Sequence, residues 1–165
     1  IGKGNGFISD YLKSKNFRVT TYDFDKKLNP DVVGSVTDMP FESNSFDTVA
    51  CYQVLEHLPF VQFSVAINEI YRVSSRYAVV SLPDAGSYAH INLKLPKLGR
   101  LNKFIELPLN VKKHIFDGQH YWEINKKGFP IKTIKTVLSK ANFKIVKNYR
   151  VFENPYHRIF VMEKI

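Results

Sequence analysis

Ile1-Gly2-Lys3-Gly4-Asn5-Gly6, running into Phe7-Ile8-Ser9-Asp10-Tyr11-Leu12, is the stretch that decides the fold. Glycines at alternate positions let a backbone turn through positive φ and pass close to a ligand that any Cβ would exclude. Behind them Phe7, Ile8, Tyr11 and Leu12 have helical spacing. A glycine turn feeding a helix N-terminus sets free N–H groups and a positive dipole end against whatever occupies the crevice. The dinucleotide fingerprint Gly-x-Gly-x-x-Gly needs glycine at position 7, where Phe7 stands, so a nicotinamide enzyme is the least supported reading. Taken alone, the loop reads equally well as a plain structural turn.

Downstream, 18–23 is β-branched and aromatic and predicts a strand ending on Asp23. One helix and one strand past Gly6, that carboxylate falls beside the glycine loop, where an acid in an open α/β sheet takes the hydroxyls of a ribose. Asp25 rivals it, and a turn or cap aspartate is the alternative. Residues 26–31 are too few for a crossover helix, so a short loop leads to a strand over 32–36. The apolar runs 46–52 and 77–83 predict strands buried on both faces, with a helix from Pro59 to about Val73 between them. Residues 84–128 break this rhythm and predict an inserted cap or lid within a single domain spanning 1–165. A last helix opens at Pro130 and closes at Asn142, and 143–146 and 158–162 predict an antiparallel hairpin. The alternation makes the fold α/β, a Rossmann-like, mainly parallel sheet. The strand expected before the glycine turn does not lie within the sequence, which starts at Ile1, so the first strand is expected to be missing from the sheet.

The net charge of +9 favours an anionic partner through the long-range field, yet Lys and Arg are scattered, as on a solvated surface. No apolar run is long enough to span a membrane. Within 93–109, Leu93, Leu95, Leu98, Leu101 and Leu107 alternate with Lys94, Lys97, Arg100 and Lys103, a mix suited to a membrane surface. Pro96, Gly99 and Pro108 interrupt it, so peripheral membrane contact is not favoured. The single Cys51 builds no disulfide framework and fits a reducing, cytoplasmic setting. Inside an apolar strand it reads as an inert thiol. Of five histidines (His57, His90, His114, His120 and His157), His57 follows the fourth strand at the mouth of the crevice and is the first candidate site residue, as a catalytic base or equally as a helix cap or cofactor contact. His114, Asp117, His120 and Glu123 offer ligand types that suit zinc or iron. Their spacing matches no metal motif, so no metal is expected, and Tyr121 and Trp122 read as an aromatic wall for a substrate. The 153–157 turn adds Tyr156 and His157 to the substrate candidates.

Together, Gly2-Lys3-Gly4-Asn5-Gly6, Asp23, Asp38-Met39-Pro40-Phe41 with Ser45-Phe46-Asp47, and Val54-Leu55-Glu56-His57-Leu58 resemble class I S-adenosylmethionine-dependent methyltransferases of the broad type 11 group. The closing hairpin is also similar to the end of that family's seven-stranded sheet. The resemblance implies S-adenosyl-L-methionine as cofactor and methyl transfer to a small-molecule acceptor, lipid- or sugar-linked acceptors included. It implies that Gly2, Gly4 and Gly6 cradle the methionyl part and that Asp23 takes the ribose. Ser35, Val36 and Thr37 would then border the adenine, and Gln53 and His57 close over the methionine end. The family usually carries an acid where Ser35 stands, and Asp38 is the substitute. RNA methylation is a second reading, motivated by the charge, although no basic-aromatic stripe or Asn/Asp-Pro-Pro-aromatic motif accompanies it. A non-catalytic binding module on the same scaffold is a third.

Overall fold

From the glycine loop the chain enters α1 (Phe7–Ser14) and then β1 (Tyr22–Asp23), which pairs in parallel with β2 (Val32–Val33) across a 3-10 turn at Lys26–Leu28. The structure is a computed structural model describing residues 1–96, 99–107, 109 and 111–165. Both strands are shorter than the runs 18–23 and 32–36 predict. Side chains have taken over from the ladder. The Asp31 carboxylate accepts from Thr21 N–H (2.7 Å) and Oγ1 (2.8 Å), and Ser35 and Asp38 fold back on each other.

The central sheet begins with β3 (Phe46–Tyr52), parallel to β4 (Ser74–Pro83), and α2 (Phe60–Val73) makes the crossover. α2 buries Phe63, Ala66, Ile67, Ile70 and Val73. This is one stripe of a helix, and each large side chain on it contributes about 1.5–3 kcal/mol by leaving water. Among the described residues no ladder joins β1 to β3. Ile1 and Gly2 lie between them, the Ile1 amino group donating to Ala50 O (2.7 Å) and Gly2 N–H to Tyr22 O (2.9 Å). A cleft of about 60 Å³ beside them is lined by Ile1, Tyr22, Phe41, Phe46, Thr48 and Ala50. The apolar side of α1 stays in solvent, with Phe7 72% and Tyr11 56% exposed.

Residues 84–128 hold an antiparallel hairpin, β5 (Tyr88–Leu95) and β6 (Gly99–Glu106), followed by an irregular return. Of the alternating apolar and basic residues of 93–109, Leu93, Lys94 and Leu95 thus lie on β5 and Arg100, Leu101 and Lys103 on β6. Lys97, Leu98 and Pro108 fall outside the described residues. The return docks at Ile124, which bridges to Asp84. α3 (Ile131–Lys140) then packs Ile134 and Leu138 inward and ends at Asn142, φ 64°. β7 (Phe143–Arg150) and β8 (His157–Lys164) form the expected antiparallel pair, and β8 inserts next to β4 to give the order β3-β4-β8-β7. The class is α/β with a parallel pair at one side and antiparallel closure at the other. Among the described residues no helix is long and apolar enough to cross a membrane.

Where β4 ends, the fully buried Asp84 binds two buried guanidinium groups. Oδ1 meets Arg150 Nη2 at 2.7 Å and Oδ2 accepts from Arg158 Nε at 2.5 Å. Gly86 N–H and Asn125 Nδ2 also donate to Oδ1, each at 2.9 Å. Arg150 reaches the carbonyls of Asp84, Gly86 and Pro155, and Arg158 reaches Asn148 and the Glu106 carboxylate. Removing the hub would leave two arginines buried without their shared partner. Asp84→Ala is expected to lower stability by about 3–5 kcal/mol in urea denaturation, and a change under about 1 kcal/mol would show the network to be dispensable.

Candidate active site

The glycine loop takes three left-handed turns in succession: Gly2, Gly4 and Gly6 have φ of 74°, 55° and 81°. A Cβ at Gly2 would collide with the Val54 side chain, whereas one at Gly4 would meet nothing within 4 Å. The loop is thus tight where it touches β3's continuation and open where it faces solvent. Asp23, 6% exposed, ties it down. Its Oδ2 accepts from Lys3 N–H (2.8 Å) and its Oδ1 from Asp25 N–H (3.0 Å). Each oxygen keeps a lone pair for another donor. Asp25 is occupied elsewhere, capping the 3-10 turn through Lys27 N–H (2.8 Å). Lys3 Nζ closes the loop onto the carbonyls of Leu28 and Asn29.

Beyond β2, Ser35 and Thr37 share a hydroxyl–hydroxyl bond of 2.7 Å, and Ser35 and Asp38 are exposed. The Val36 side chain is in the core with Tyr22 and Met39, so any part it plays at a ligand's border falls to its backbone. Alternation along this short turn sends it inward, and only its backbone remains on the crevice side.

The carboxyl end of β3 carries a second group of residues. Gln53 sits at φ 51°, a strained value for a side chain with a Cβ, held by its N–H on Ser81. Its amide lies between Ser81 and Glu56, the oxygen accepting from Leu82 N–H (3.2 Å) and the nitrogen donating to Glu56 Oε1 (3.2 Å). Glu56 itself is fully buried, and its Oε2 has no partner. His57 is exposed, with Nδ1 3.1 Å from Gln119 O. The return segment brings His120 against it, ring centroids 5.1 Å apart. His120 Nδ1 lies 3.4 Å from both Glu123 Oε1 and Tyr156 Oη. His114 Nε2 lies 2.8 Å from His120 O, and Tyr121 N–H donates to Glu56 O (2.9 Å).

The sequence candidates therefore sort by place. His57, His114, His120, Tyr121 and Tyr156 converge. Trp122 does not form a wall: it is fully buried among Phe60, Phe63 and Phe129, with Nε1 donating to Leu58 O (3.1 Å). It anchors the return segment to α2 and leaves the wall to Tyr121, whose ring rests on Phe116. His157 opens β8 opposite Pro83, its ring beside Tyr156. His90 is on the hairpin, against Phe104 and Phe152. Cys51 is fully buried, and burial pushes its thiol up to about 12.

Glu56 and the Asp84 network were missed by sequence reasoning. A signal existed for both: an acid beside His57 in a polar interruption of an apolar run, and Asp84 directly after a strand, as Asp23 is. Burial raises the Glu56 carboxyl from 4.5 to about 7, with the nearby Glu123 adding to the effect. An acid whose folded pKa is raised holds its proton longer when folded, so its contribution to stability is complete below about pH 4.5 and is lost as pH rises through about 7. Glu56→Gln, compared with the parent chain in chelator-containing buffer, is expected to gain on the order of 2–3 kcal/mol at about pH 8. The gain should vanish by about pH 4, and a gap that does not change with pH would refute this reading.

The methyltransferase domain family matches residues 1–80. No curated protein matches the sequence. Solved structures similar to the chain include 1,6-didemethyltoxoflavin-N1-methyltransferase from Burkholderia thailandensis, bound to 1,6-didemethyltoxoflavin and S-adenosylhomocysteine. The two are 15% identical with a TM-score of 0.66, covering 99% of this chain and 68% of that one. An S-adenosylmethionine-dependent methyltransferase from Methanosarcina mazei is similar at 18% identity and TM-score 0.64, over 99% and 90%. The glycopeptide N-methyltransferase MtfA, complexed with S-adenosylhomocysteine, is similar at 10% identity and TM-score 0.64, over 99% and 81%. At these identities the structures speak for the fold, and the family match takes in the glycine loop, Asp23 and the Glu56-His57 turn. Residues 1–80 thus match the methyltransferase domain family, and the chain has the fold of class I S-adenosylmethionine-dependent methyltransferases.

Proposed function

We propose that this chain transfers a methyl group from S-adenosyl-L-methionine to a small-molecule acceptor. The observation that carries the reading is the buried Asp23 carboxylate held against a loop of three left-handed glycines, with open space above Gly4. A carboxylate with free lone pairs suits a ribose diol, and a Cβ-free backbone suits the close approach of an amino-acid tail. In this reading Gly2, Gly4 and Gly6 line the methionyl end, and Asp23 takes the ribose hydroxyls. Ser35, Thr37 and Asp38 border the adenine, and Gln53 and His57 stand at the methionine end. Among relatives of the same fold, two were crystallised with S-adenosylhomocysteine, which accords with this assignment.

The cofactor's sulfonium supplies an activated methyl group. What the chain must add is alignment of the acceptor, since proximity and orientation are worth about 7–11 kcal/mol. The histidine cluster at the ends of β3 and β4 offers the acceptor end of the crevice, with His114, His120, Tyr121 and Tyr156 around it. A carbonyl only accepts, so His57 Nδ1 carries the hydrogen toward Gln119 O, and Nε2 is the nitrogen left for the acceptor. Burial, together with a bond to Glu123, raises the Tyr156 phenol, so it acts as a donor and not as a phenolate. The buried Cys51 accords with a reducing, cytoplasmic setting.

The test is calorimetric titration of S-adenosylhomocysteine into the chain. Binding in the micromolar range is expected, weakened at least about tenfold in Asp23→Ala, in line with the loss of charge-assisted hydrogen bonds. A folded chain that does not bind, or an Asp23→Ala variant that binds equally well, overturns the reading.

A further inference from the structure

Glu56, His57 and His120 each offer a donor atom, and the three lie within 4.8 Å of one another. We propose that they form a site for a divalent first-row transition-metal ion, of the zinc, manganese or cobalt kind. Sequence spacing alone gave no support for this, because His57 and His120 stand 63 residues apart and only the docked return segment joins them.

Three observations carry the assignment. The first is the unpartnered Oε2 of a fully buried carboxylate. Buried polar atoms are almost always bonded, and a carboxylate oxygen without a donor is a vacancy for a cation. The second is the engagement of both imidazoles at Nδ1. His57 uses it on the Gln119 carbonyl, and His120 turns it to the Glu123 carboxylate. Metal-bound histidines commonly donate their other N–H to a carbonyl or a carboxylate, which fixes the ring and leaves Nε2 to the ion. Third, two histidines and one carboxylate form a donor set suited to such ions, and exposed His57 leaves coordination positions open to solvent. Side-chain rotation would close the spacing toward the roughly 3–3.5 Å between ligands that metal–ligand bonds of about 2.0–2.2 Å imply.

The overlapping group of Asp117, His120 and Glu123 fits less well. Asp117 Oδ1 already accepts from the N–H groups of Gln119 and His120, and Glu123 is shared with Lys126 at 3.8 Å. Glu123 is therefore the positioning residue for His120.

Placed there, the ion takes an acceptor hydroxyl, a role that rests on the methyl-transfer reading. The O–H bond breaks and its proton passes to solvent. The oxygen forms a bond to the methyl carbon as the carbon–sulfur bond breaks, and that electron pair returns to sulfur. His57 then acts as a ligand and not as a base.

The experiment is titration of cobalt(II) chloride into the metal-stripped full chain, followed by visible d–d absorption and by calorimetry with manganese(II). One saturable equivalent is expected. Glu56→Gln and His120→Asn should abolish it, and Glu123→Gln should weaken it about 10–100-fold. Circular dichroism confirms that each variant is folded, and Glu56→Gln is expected to be the more stable chain. Absence of saturable binding by the folded parent chain, or binding unchanged in these variants, overturns the proposal. S-adenosylhomocysteine binding is read on the same protein, so loss of one reading leaves the other standing.

Discussion

The fold turns on a carboxylate that two cations cannot do without. Asp84 stands where β4 ends, where residues 84–128 leave the sheet and where β7 and β8 close it, and it holds Arg150 and Arg158 in the interior. Two positive charges without it would carry a desolvation cost that no hydrophobic neighbour offsets. With Asp84 and Glu106 the four charges balance. The same grip sets the height of the Pro155-Tyr156 turn through Arg150, so Tyr156 reaches His120 because Asp84 is in place.

The two halves of the crevice are built by different means. On the glycine-loop side the backbone does the shaping: left-handed glycines, a carboxylate accepting main-chain N–H groups, and a lysine capping carbonyls. On the other side side chains do it, and they come from distant parts of the chain. Trp122 is the bolt between the halves, since its burial against Phe60 and Phe63 fixes where His120 and Glu123 lie.

That difference decides what the sequence could reveal. Glycine spacing, an acid at a strand end and apolar runs are local signals, and the loop, Asp23 and the strands 46–52 and 77–83 were legible from them, the second starting three residues earlier, at Ser74. The length of β1 and β2 was not, because Asp31 satisfies Thr21 with a side chain where periodicity predicts a ladder. Trp122 was misread because aromatic residues in a polar segment suit a ligand wall and a core anchor equally, and burial alone separates the two. Glu56 escaped notice since its place beside His57 hints at a site but does not reveal the burial, with distant Glu123 close by, that perturbs it. The closing hairpin was read correctly in direction and too short in length, since β7 and β8 extend through polar residues that only pairing makes regular.

Asp84 and Ile124 are bridged to each other, so the excursion between them departs and rejoins at neighbouring points. Closing a loop of twice the length would cost only about 0.6 kcal/mol more. The ribbon β5–β6 can thus lengthen, shorten or be exchanged in evolution at little thermodynamic penalty, while the glycine loop and Asp23 stay where they are. The ribbon and the glycine loop are inherited on separate pieces of the chain, and one can drift in length while the other keeps its geometry.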